Sequence, residues 1–137
     1  MNMRIAVAAI AALAALLVLR PIAADEEIRS AGQIKFVSGG VGEESLERIR
    51  TLDGDFNLKL LFATRDGEYL ADIGVTVSDS RGGRMLDTVS EGPWFLAKLV
   101  PGKISITAAC KAESRTVATA IPAIGQREVV FRLECGD

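Results

Sequence analysis

Phe56-Asn57-Leu58-Lys59-Leu60-Leu61-Phe62-Ala63 decides the fold. Phe56, Leu58, Leu60 and Phe62 share one parity, so an extended chain puts them on a single, strongly apolar face. The period of two then recurs downstream. Ile73, Val75 and Val77 alternate with Gly74, Thr76 and Ser78. Arg84 to Ser90 reads as a third strand and Trp94 to Leu99 as a fourth, on either side of Glu91-Gly92-Pro93. Ile104, Ile106, Ala108 and Cys110 share a parity, Arg115 to Ile121 is rich in Thr and Val, and Val129, Phe131, Leu133 and Cys135 share a parity again. Turn chemistry separates these runs. Arg65-Asp66-Gly67 turns the chain, Asp79-Ser80-Arg81-Gly82-Gly83 supplies a carboxylate for side-chain bonds and glycines for positive φ, and Pro101-Gly102 after Val100 suits a type II turn. Seven short strands without intervening helices predict a mainly β sandwich or barrel and exclude a parallel βαβ sheet.

Upstream, the period changes. Leu46, Ile49 and Leu52 recur at helical spacing, which predicts a short helix over 43–52 that needs a sheet to dock on. Glu43 and Glu44 at its start and Arg48 and Arg50 near its end suit the helix dipole. Ile34 to Val37 can form a short strand, and Asp25 to Gln33 is polar and is expected to be poorly ordered. Arg4, the unbroken apolar run Ile5 to Leu19, and Ile22-Ala23-Ala24 before the acidic Asp25-Glu26-Glu27 have the plan of a secretory signal peptide cut after Ala24. The run is shorter than the roughly 20 apolar residues a spanning helix needs. An uncleaved anchor is the alternative, favoured by Arg20 and by Ile22 three residues before the cut. The expected organisation is therefore a leader at 1–24, an N-terminal segment with the helix at 25–54 and the sandwich at 55–137, with no membrane span once the leader is removed.

The 137 residues carry 16 Lys and Arg, 18 Asp and Glu and no His, a net charge of −2. Arg4 and Arg20 both lie in the leader, so the remainder is more acidic still. This balance argues against a nucleic-acid partner, which needs a basic stripe to displace counterions from phosphate. The lack of His removes most catalytic triads, the commonest zinc sites and the usual neutral-pH proton shuttle. Export places Cys110 and Cys135 in an oxidising compartment, where an even pair reads as a disulfide. Each lies on the apolar parity of its strand, so both sulfurs should point inward at the end of the sandwich. Two separate buried thiols are the alternative.

Val75-x-Val77-x-Asp79, Gly82-Gly83, Thr88, Gly92 and Leu99-x-Pro101-Gly102, followed by the apolar alternation of the last strands, resemble the carboxypeptidase regulatory-like domain. That family is a transthyretin-like (prealbumin-like) sandwich, which implies a seven-stranded antiparallel Greek key, here of the exported bacterial type. It also implies a non-catalytic module, of the sort found beside enzymes, in adhesins or at outer-membrane machinery. Lys103-Ile104 stands where the family usually has an aromatic after the Pro-Gly turn. A urate-pathway hydrolase of the transthyretin-like family relies on His and a tyrosine-containing C-terminal tetrapeptide. This chain lacks both, so that activity is not carried over.

Candidate sites are few. Asp53-Gly54-Asp55-Phe56-Asn57 imitates the opening of a calcium loop, but Leu58 and Thr64 stand where the EF-hand pattern needs Gly and Glu, so a turn is expected. Gly39, Gly40 and Gly42 precede no Gly-Lys-Ser/Thr and read as a helix entry rather than a phosphate loop. The pairs Glu43/Glu44 and Asp53/Asp55 are sequence neighbours, which rarely face each other across a cleft as acid and base must. No catalytic, cofactor or metal residues are expected. Trp94 fits the core if it packs beside Leu96, or a surface contact if it stands out next to Gly92-Pro93; Tyr69 is a second exposed contact. The function expected is a non-enzymatic module that is periplasmic or secreted and binds an envelope protein. Binding of carbohydrate or another small ligand through Trp94 and Tyr69 is the competing expectation. Edge strands of such a sandwich also offer pairing sites between chains.

Overall fold

In the computed structural model the described residues are 27–136. The leader expected over 1–24 lies outside them. Nine strands, one helix and one 3-10 turn follow in chain order: β1 (Arg29–Ala31), β2 (Ile34–Gly39), α1 (Glu43–Leu52), the 3-10 turn (Asp53–Asp55), β3 (Leu58–Ala63), β4 (Ile73–Asp79), β5 (Arg84–Ser90), β6 (Trp94–Lys98), β7 (Gly102–Ala109), β8 (Ser114–Ile121) and β9 (Arg127–Arg132). They form two sheets, β1-β2-β6-β3-β9 and β5-β4-β7-β8. One core is drawn from both: Leu58, Leu60, Phe62, Phe95 and Phe131 from the first, Val75, Val77, Leu86, Ile106 and Ala108 from the second. This is the layout of a β-sandwich. From Leu58 onward the expected parity divides inside from outside, since Leu58, Leu60 and Phe62 are fully buried while Lys59 and Leu61 are half-buried; Phe56, which precedes the strand, leaves that face and packs against α1 instead.

Two corrections apply to the expected seven antiparallel strands. The described residues hold nine strands: seven from Leu58 onward, β2, which extends the short strand expected at Ile34 to Val37, and β1, which lies in the polar segment expected to be poorly ordered. Arg29 pairs with Phe36 and Ala31 with Ile34 around a two-residue turn in which Gly32 has φ 61°. A three-residue edge strand held by backbone bonds leaves no side-chain periodicity to read. The second correction concerns direction: β3 and β9 pair parallel, Leu58 opposite Arg127 through Ala63 opposite Arg132. Alternation of side chains is the same in parallel and antiparallel strands, so it carries no information on direction. Between them the chain leaves β3 for β4 and β5 in the second sheet, comes back to the first as β6, crosses again for β7 and β8, and returns through residues 122–126 to β9.

α1 spans the expected range and docks on the outer face of the first sheet. Ile49 and Leu52 pack with Val37, Leu96 and Phe56 in a second, smaller core. The entry is tight. Gly40, at φ 102°, donates its N–H to Ser45 Oγ at 2.7 Å and leaves no room for a Cβ under the Trp94 indole. Where the chain crosses from β5 to β6, Gly92 lies against the Gly39 backbone, and a Cβ there would meet the Gly39 carbonyl carbon at 2.5 Å. Residues 29–52 thus supply an edge of the first sheet and the helix that covers its outer face.

Candidate functional site

The disulfide expected from parity is present, Cys110 to Cys135, with Cα atoms 5.6 Å apart. Both residues are half-buried and pack against the main core. The bridge ties the end of β7, in the second sheet, to the chain just beyond β9 in the first. Glu113 reinforces the same end. Its Oε2 accepts the Glu134 backbone N–H at 2.7 Å, and Oε1 takes the Arg115 guanidinium at 3.3 Å and Arg65 at 3.7 Å. The Glu134 N–H, with Arg115 and Arg65, holds the Glu113 carboxyl below the usual glutamate range. A lowered folded-state value means that the carboxylate's stabilisation is present at neutral pH and lost as pH falls through that value. Glu113→Gln is therefore expected to lower the melting temperature at neutral pH. It should also flatten the decline on acidification, measured as melting curves for both proteins from neutral into the acid range.

The calcium-like run resolves into a braced turn. Asp53 Oδ2 meets Lys59 Nζ at 3.1 Å, and Oδ1 accepts from Gln126 Nε2 at 2.8 Å. Among the described residues no three His, Cys, Asp or Glu cluster as a metal set. Asp79 does the turn chemistry expected of it, since its Oδ1 accepts the N–H groups of Arg81 and Gly83 at 2.9 and 2.8 Å. Glu43 and Glu44 stand exposed on the first turn of α1.

Trp94 and Tyr69 come to one side of β3. Trp94 pairs with Leu61 and Tyr69 bridges Ala63, two residues further on the same face. They differ in availability. Trp94 is half-buried and packs against the α1 cluster, with Lys59 Nζ 4.9 Å from its ring centroid. Its Nε1 is buried without a hydrogen-bond partner among the described residues. Tyr69 is 62% exposed. With Lys59 above and Gly40 beneath, the indole has less free surface than a stacking platform requires.

A further feature of the surface is the edge of the second sheet. β8 is eight residues long and pairs with β7 alone. Beside it lies an open hollow of about 530 Å³ whose lining includes Ser80, Lys103, Ser105, Ala118, Ala120 and Arg127. Sequence reading placed this strand but not its exposure, because edge position depends on sheet order. The small residues at Ala118 and Ala120 were the one signal in the sequence. No family model matches this chain, and no curated protein matches it either.

Proposed function

We propose that this chain is an exported, non-catalytic module with a transthyretin-like Greek-key sandwich, and that it works by binding another protein of the bacterial cell envelope. The observation that carries the reading is the open outer edge of β8, a long regular strand at the end of the β5-β4-β7-β8 sheet. Open edges of this kind are templates for a further strand, and soluble proteins usually cover or interrupt them. A Cys110–Cys135 disulfide supports an oxidising compartment. Among the described residues no helix is long and apolar enough to cross a membrane. The lack of any His supports a binding rather than a catalytic role.

The test is photo-crosslinking of the full chain in bacterial cells, with a photoreactive residue placed in turn at Val41, Tyr69 and Thr116. A discrete protein adduct from one face is the expected result; no adduct from any of the three overturns the reading. Carbohydrate binding keeps one observation in its favour, the common face of Trp94 and Tyr69. Glycan-array binding that disappears in Trp94→Ala with the fold intact would establish it instead.

A further inference from the structure

We infer that the free edge of β8 is the recognition site of this module, and that it takes an extended acidic peptide segment of the partner as a fifth strand of the β5-β4-β7-β8 sheet. The inference rests on the protein-binding reading above and names the site and the chemistry of its occupant.

The ladder fixes which backbone groups are open. Cys110 donates its N–H to Glu113 O at 2.9 Å, which makes 110 and 113 a hydrogen-bonded pair. The register from Ala109 opposite Ser114 to Gly102 opposite Ile121 continues without a shift. Bonded and non-bonded pairs alternate along an antiparallel ladder. Arg115, Val117, Thr119 and Ile121 therefore turn their N–H and C=O groups to β7, whereas Ser114, Thr116, Ala118 and Ala120 turn theirs outward. Arg127 Nε donates to Ala120 O at 3.3 Å, as that assignment requires, and closes the edge at one end. Ser114, Thr116 and Ala118 remain as an open run.

The other edges are protected. β5 carries a bulge opposite Val77/Ser78 and an Arg84–Asp87 ion pair at 3.2 Å. β1 is three residues long, and β9 bears Arg127, Glu128 and Arg132. In β8 the single charge is Arg115, and the outward-bonding positions have small side chains that let another backbone approach.

Charge selects the occupant. The hollow beside Ala118 and Ala120 holds Lys103 and Arg127, with no carboxylate in its lining. Neither cation is in an ion pair among the described residues. Glu113, the nearest acid along the strand, is already taken by Glu134 N–H, Arg115 and Arg65. A second copy fits poorly: antiparallel pairing of β8 with itself brings Arg115 of one chain toward the Lys103 and Arg127 end of the other. An acidic strand answers both the open ladder and the unpaired cations.

The experiment uses the full chain and a fluorescent peptide in which glutamate alternates with valine and threonine, with a lysine-for-glutamate peptide as control. Binding is read by anisotropy and located by amide NMR shifts. Expected are binding of the acidic peptide alone, shifts confined to β8 and its flanks, and loss of binding in Ala118→Pro, which removes an outward N–H and no internal bond. Lys103→Glu with Arg127→Glu should weaken binding about tenfold and needs no proline in the strand, so it decides the matter if Ala118→Pro does not fold. Shifts elsewhere, equal binding of the lysine peptide, or indifference to these changes overturns the inference. If the acidic peptide does not bind but crosslinking captures a protein, the edge assignment falls and the module reading stands; capture from no face removes both.

Discussion

Replacing both cysteines, Cys110→Ser with Cys135→Ser, is expected to lower the unfolding free energy by about 3–4 kcal/mol. The bridge closes a loop of 25 residues. In the chain-entropy account its removal frees the unfolded ensemble far more than it changes the folded one. A domain of this size loses roughly 12–20 °C in melting temperature for such a change. That is a large share of the roughly 5–15 kcal/mol by which native domains are stable. The site also matters because the bridge joins the two sheets at one end, where Glu113, through the Glu134 N–H at 2.7 Å and Arg65 at 3.7 Å, is another tie between them. Melting and urea titration of the double variant, beside the parent with and without reductant, give the measurement. An unchanged midpoint in both comparisons would mean that the bridge holds nothing the core does not already hold.

The disulfide was legible in the sequence because two independent features agreed. Cys110 and Cys135 share the apolar parity of their strands, and the leader expected from the sequence at 1–24 argues for an oxidising compartment. α1 was legible over its full span for a similar reason: the spacing of Leu46, Ile49 and Leu52 and the placement of charges agree. Trp94 was not legible. Trp94-Phe95-Leu96-Ala97 has no alternation, because β6 sits between β2 and β3 with the main core on one side and α1 on the other. A strand covered on both faces gives an apolar run, and parity then says nothing about which residue meets which layer. The structure divides them: Phe95 and Ala97 enter the core between the sheets, while Trp94 and Leu96 meet the helix side. β8 fails to reveal its edge for the opposite reason. Its open positions are small and weakly patterned, and which edge of the sheet is exposed depends on strand order. The candidate site therefore rests on topology and on Lys103 and Arg127, distant in sequence, lining one hollow.

That division of β6 yields the second large expected effect. Phe95→Ala should cost about 3–5 kcal/mol, the range for deleting a fully buried aromatic ring and leaving part of its volume empty. Phe95 is 0% exposed and stacks on Phe36 with ring centroids 5.8 Å apart, so the substitution removes the stacking as well as the buried area. It lies in the middle of the first sheet, where neighbouring backbones on both sides are hydrogen-bonded and cannot collapse into the gap. Val100, 74% exposed on the turn after β6, supplies the control, and Val100→Ala should stay within about 0.5 kcal/mol. Urea unfolding of both variants measures the difference, with equal m-values as the check that the unfolded states are alike. If Phe95→Ala cost less than about 1 kcal/mol, Phe95 would not lie between the sheets, and the two-sheet core that positions the β8 edge would be wrong with it.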